Sequence, residues 1–87
     1  MEEVSDAKIY EKGLSYLKKN NYEKAAVEFD KLFINYPFSS LAPNAEIMTA
    51  YSLFENNEIK RAISKLEEFI ELNPSGELSK YAQYLLA

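Results

Sequence analysis

Eighty-seven residues admit one compact domain and exclude a doubly wound nucleotide-binding domain, a (β/α) barrel or a multidomain enzyme, because a chain this short buries only roughly 60–65% of its unfolded surface. Apolar residues make up 47%, with only 2 glycines and 3 prolines, a helix former's composition with enough apolar surface for a core. Ten basic against 14 acidic residues, a net charge of −4, predict no basic face for nucleic acid or an anionic membrane, and the lack of cysteine and histidine removes thiol and imidazole catalysis, disulfides and zinc fingers.

In chain order, Ile9, Tyr10, Gly13, Leu14, Tyr16 and Leu17 recur at helical spacing and predict a first helix over about 6–19, capped by Ser5 or Asp6 and ended at Asn20-Asn21. A second helix, Tyr22 to Tyr36, lines up Tyr22, Ala25, Ala26, Phe29, Leu32 and Phe33. Asn20 with Glu23 has the form of a capping box, and Pro37 is the stop. The third helix begins near Leu41 to Pro43 and runs to Glu55, followed by a second asparagine pair, Asn56-Asn57. The fourth starts near Glu58, carries Ile59, Ala62, Ile63, Leu66, Phe69 and Ile70, and ends before Pro74. After a turn at Ser75-Gly76, a fifth helix spans Leu78 to Ala87. No segment approaches the roughly 20 apolar residues of a membrane helix, so no direct membrane insertion is expected. The start, Met1 to Tyr10, is acidic and polar, so this segment is expected to carry neither an export signal nor a lipidation cysteine of its own.

The fourth segment repeats the second with a constant shift of 37 residues: Asn20 falls on Asn57, Ala25 on Ala62, Phe29 on Leu66, Leu32 on Phe69 and Pro37 on Pro74, while Tyr36 against Asn73 breaks the likeness. The first and third segments obey the same shift, with Tyr10 on Ile47, Gly13 on Ala50, Leu14 on Tyr51 and Leu17 on Phe54. It continues into the fifth, with Ala45 on Ala82, Ile47 on Tyr84 and Ala50 on Ala87. A repeat of this size marks a helical solenoid. The predicted fold is therefore all-α, two helix-turn-helix repeats at about 6–41 and 42–75 plus the first helix of a truncated third at about 77–87, one domain over 1–87. The small residues Gly13, Ala25, Ala50 and Ala62 are expected at close helix crossings.

These residues resemble a tetratricopeptide repeat. Its pattern is met by Gly13, Tyr16, Ala25, Phe29, Leu32 and Pro37, and again by Ala50, Leu53, Ala62, Leu66, Phe69 and Pro74, with extra residues between Pro37 and Pro43. The run from Tyr10 to Lys19, then Asn21 to Ala25, Asn35-Tyr36-Pro37-Phe38, Ala50-Tyr51 and Phe69 to Pro74 is similar to the first repeats of the BamD family, the outer-membrane assembly lipoproteins of Gram-negative bacteria. Ser39 stands where members of that family usually have glycine. The resemblance implies a scaffold in the periplasm, at the periplasmic face of the outer membrane. Its expected partners are extended segments of unfolded outer-membrane proteins and other subunits of the assembly machinery. Another periplasmic tetratricopeptide protein of envelope maintenance, or a cytoplasmic adaptor, are the alternative readings.

No catalytic constellation is legible. Glu2-Glu3 and Glu67-Glu68 are adjacent helical residues that diverge in direction, the serines have no histidine to activate them, and neither cofactor nor metal is expected. Carrying the repeat family's inward-facing positions onto this chain gives a peptide-binding groove of Tyr10, Leu14, Leu17, Ile47, Tyr51, Phe54, Tyr81 and Tyr84. This aromatic lining suits an extended peptide of alternating bulky residues. Leu14, Leu17 and Ile47 equally suit helix-on-helix packing. Pro37, Phe38 and Leu41 form an apolar inter-repeat connection, with Phe38 expected to fold back over the end of the core. Tyr16 and Tyr22 are expected in the core.

Overall fold

A computed structural model of the chain describes residues 5–74 and 76–86. Glu2-Glu3, Ser75 of the expected turn and Ala87 of the expected pairing with Ala50 lie outside the described residues. Among the described residues the chain forms α1 (Asp6–Lys18), α2 (Tyr22–Asn35), α3 (Ala42–Glu55), α4 (Ile59–Leu72) and α5 (Glu77–Leu86). Each helix packs on its neighbours in sequence and α3 also meets α5, giving an all-α, tetratricopeptide-like solenoid of 42 × 27 × 16 Å.

Local chemistry explains the boundaries. The Ser5 hydroxyl accepts the Lys8 amide hydrogen at 3.2 Å, capping α1, and Lys18 in its last turn suits the negative end of the helix dipole. Asn20 and Asn57 close α1 and α3 with φ of 58° and 63°, the left-handed conformation asparagine tolerates better than most residues. Both closures are Schellman motifs. The Asn21 and Asn20 amides donate to the Tyr16 and Leu17 carbonyls at 2.9 Å each, and those of Glu58 and Asn57 to Leu53 and Phe54 at 2.8 and 3.0 Å. This use of Asn20 corrects the expected capping box. Asn20 is the closing residue of α1, its side chain accepts the Tyr22 hydroxyl at 3.0 Å, and Asn21 caps α2 by accepting the Lys24 amide at 3.3 Å.

The small residues sit where the repeat places them. Ala25, Ala50 and Ala62 are completely buried. A Cβ on Gly13 would come within 2.7 Å of the Phe29 ring, so this glycine is the space that admits the ring. Phe29, Leu32, Ala25, Ala42, Ala45 and Ile9 form the core of the first half, and Ile47, Ala50, Leu66, Phe69 and Ala82 that of the second. Tyr16 is half-buried against the first core, and Lys24 lies 5.9 Å above its ring centre. Buried Thr49 and Ser52 satisfy their hydroxyls within α3, donating to the Ala45 and Met48 carbonyls at 2.8 Å each. Among the described residues, no helix is long and apolar enough to cross a membrane.

Candidate peptide-binding face

The predicted groove residues come from α1, α3 and α5, and the structure sorts them by depth. Tyr10 is half-buried, its ring meeting Phe29 edge-on at 5.4 Å and 70°. Leu14 and Leu17 are half-buried against the same core, and Leu14 also borders a hollow of about 300 Å³ with Glu11, Ser15 and Lys18. Ile47 is only 6% exposed and belongs to the second core, so it supports the face from beneath instead of lining it. Phe54 is half-buried against the second core and against a further buried cluster of Ala26, Leu53 and Ala62. Tyr51, Tyr81 and Tyr84 remain open to solvent, at 40%, 48% and 76% exposure.

The three rings are open to solvent, and the Tyr51 hydroxyl is hydrogen-bonded to Glu55. At Tyr51 the Glu55 carboxylate one turn away, then partial desolvation and the Tyr22 and Tyr81 hydroxyls, push the phenol above its ordinary range. Tyr51 is therefore neutral across physiological pH and able both to donate and to accept hydrogen bonds. That influence also brings Tyr22 to the margin of the face. Tyr22 is expected in the core, yet it is half-buried with its hydroxyl bonded to Asn20.

The connection between α2 and α3 corrects another expectation. Leu41 is half-buried on the first core and Pro37 is exposed, but Phe38 is 99% exposed and covers nothing. Tyr36 and Leu41 already close this end of the core. The turn is pinned elsewhere. The Ser39 hydroxyl donates to the Asp6 carboxylate and accepts the Leu41 amide at 3.0 Å, while the Ser39 amide donates to the Tyr36 carbonyl at 3.0 Å. Bonding to Ser39, and then to the Ala7 amide, holds the Asp6 carboxyl below its usual range.

Residues 2–87 match the family model described as YfiO, outer membrane lipoprotein. The chain belongs to the YfiO outer-membrane lipoprotein family. It is 42% identical over 81 residues to the outer membrane protein assembly factor BamD of Rickettsia prowazekii, covering 93% of this chain and 32% of that protein. The same-named factors of Xylella fastidiosa (strain 9a5c) and Neisseria gonorrhoeae are 29% and 30% identical, covering 88% and 90% of this chain and 26% and 29% of theirs. The chain thus spans about a third or less of the length of these relatives. Among the described residues of this YfiO-family chain, no three His, Cys, Asp or Glu side chains gather as a metal set.

One feature of this family member was missed from sequence. Glu46 on α3 is 2% exposed, in the seam where α2, α3 and α4 meet. Burial first, then its hydrogen bond to Glu68 and the charge of Glu68, raise the Glu46 carboxyl to about 8, while Lys65 pulls the other way. A carboxyl raised this far favours its protonated form, which can donate a hydrogen bond to Glu68. Beside it, Lys65 on α4 meets Asp30 on α2 at 2.9 Å, an ion pair across the repeat boundary. The available signal was the 37-residue shift, which places Glu46 opposite the apolar Ile9.

Proposed function

We propose that this chain is a non-enzymatic protein-interaction scaffold acting in outer-membrane β-barrel assembly at the periplasmic face of that membrane, and that its tyrosine face receives an extended segment of an unfolded outer-membrane protein. The observation that carries this reading is the exposure of three aromatics, Tyr51, Tyr81 and Tyr84, on α3 and α5 of a chain whose family members include named assembly factors. A solenoid face of this kind buries a peptide's apolar side chains while its phenol hydroxyls hydrogen-bond to the peptide backbone. The lining is mostly uncharged, so binding should depend little on salt.

The test is an NMR titration of the labelled protein with a peptide ending in phenylalanine with alternating apolar residues upstream, against a scrambled peptide of the same composition. The native order should shift Tyr51, Tyr81 and Tyr84 selectively, with a Kd of about 0.1 mM. Tyr51→Ala or Tyr84→Ala should weaken it without altering the helical circular dichroism signal, because both side chains are exposed. Equal shifts with the two peptides would end the claim of sequence-selective binding.

A further inference from the structure

The acidic balance of the chain predicts no surface for anions, yet the structure gathers lysines at one place. Lys8 and Lys12, one turn apart on α1, face Lys31 and Asn35, one turn apart on α2. Together with Ile9, Glu28 and Tyr36 they line a hollow of about 410 Å³. Glu28 is 7% exposed and pairs with Lys31 at 3.4 Å. Lys8 and Lys12 have no ion-pair partner among the described residues.

The repeat sets this face apart from its counterpart. Shifted by 37, Lys8 and Lys12 fall on Ala45 and Thr49 of α3, which are 0% and 2% exposed beneath α2, whereas Lys8 and Lys12 themselves are exposed. An exposed face needs only to be polar to stay soluble. It does not need three ammonium groups around one hollow, in a chain with 14 acidic and 10 basic residues. Lys31 already has Glu28 as its counter-charge, and the two charges left over, Lys8 and Lys12, repel one another until an anion enters.

We propose that this hollow is a binding site for a phosphate-bearing anion, either a free phosphate or the headgroup of an acidic phospholipid. The ammonium groups and the Asn35 amide can approach a tetrahedral anion from several sides as point donors, the way lysine binds phosphate, while the single arginine of the chain, Arg61, lies on α4 and pairs with Glu58 at 2.6 Å. Glu28 is engaged by Lys31, which leaves Lys8 and Lys12 as the charges that attract the ligand.

The experiment is an amide-resolved NMR titration of the 87-residue chain with sodium phosphate, with dihexanoyl phosphatidylglycerol below its micelle concentration, and with sodium chloride at matched ionic strength. Phosphate should move the amides of Lys8, Lys12, Lys31 and Asn35 beyond the chloride shifts. The double substitution Lys8→Gln/Lys12→Gln should weaken binding by about fivefold, two exposed charge contacts being lost. Lys8→Arg/Lys12→Arg should retain it, and Lys60→Gln/Arg61→Gln, the same charge change on α4, should leave it unchanged. Tighter binding of the phospholipid than of free phosphate assigns the site to a membrane headgroup, and equal binding assigns it to the free anion. The proposal is overturned if chloride reproduces the shifts, if Lys8→Gln/Lys12→Gln binds as tightly as the parent, or if the shifts centre on α4.

Discussion

The two repeats share a backbone frame and fill it differently. Where the first sets Gly13 against Phe29, the second sets Ala50 against Leu66, so the smaller helix residue goes with the larger partner and the methyl group gained on one side is offset by the ring given up on the other. Both pairs are fully or nearly fully buried, so the trade conserves packing and not merely composition. The exchange of Ile9 for Glu46 is of another kind. An apolar core residue in one repeat becomes in the other a buried carboxyl that stays neutral by holding a proton. At this crossing the repeat preserves volume. Polarity at a seam is free to change when a neighbour such as Glu68 can take up the consequence.

The sharpest way to break this comparison is to convert the first repeat's packing to the second's. Gly13→Ala alone should destabilise by about 1–3 kcal/mol, because the new methyl meets the Phe29 ring at 2.7 Å. Adding Phe29→Leu should recover a substantial part of that loss, with a coupling of about 0.5–3 kcal/mol in a double-mutant cycle read by urea denaturation. Strictly additive effects would mean that the two pairs are not equivalent solutions.

The seam gives a pH-gated effect. The folded Glu46 carboxyl titrates near 8, above its ordinary value of 4.5. The folded state therefore binds a proton more tightly than the unfolded chain, and the contribution is fully present below about pH 4.5 and is lost as pH rises toward 8. Glu46→Gln, which keeps the hydrogen bond to Glu68 without titrating, should flatten that slope in thermal melts from pH 5 to 8, whereas Glu67→Gln, exposed on the same repeat, should leave it. A slope unchanged by Glu46→Gln would place the titrating group elsewhere.

Smallest of all should be the cost of the asparagine closures. Asn20→Ala and Asn57→Ala should each lose about 1 kcal/mol, by forcing alanine into the left-handed region at φ of 58° and 63°, and glycine at either position should be nearly neutral. Similar losses at both sites, measured by denaturant midpoint, are expected because the backbone hydrogen-bond pattern is the same. A clear difference would show that the two turns share a shape without sharing its energetics.

The helices, their approximate limits and the small residues at crossings were legible because they depend on local signals: the apolar stripe, Pro37 and Pro74, and paired asparagines in register. The tyrosines of the candidate face were legible too, although which of them stay open was not. Ile47 and Tyr51 lie four residues apart on one helix, and only the packing of α4 and α5 against α3 buries the first and leaves the second exposed. The exposure of Phe38 was not legible, because the turn that carries it is tied by Ser39 to Asp6, 33 residues away. Glu46 was invisible for the same reason, since its burial and its proton depend on residues of α2 and α4 brought together only by the fold.

The neighbour-on-neighbour packing of the helices bears also on how quickly the structure is reached. With helices joined by short turns and with α5 touching α3 as the farthest reach among the principal contacts, most native contacts join segments already close along the chain. Topologies of this kind fold on timescales of about microseconds to milliseconds, because little chain entropy is surrendered before the first contacts are rewarded. Each hairpin of helices can form while the next is still a coil, so the interval during which Phe29, Leu66 and Phe69 are exposed to other unfolded chains is short.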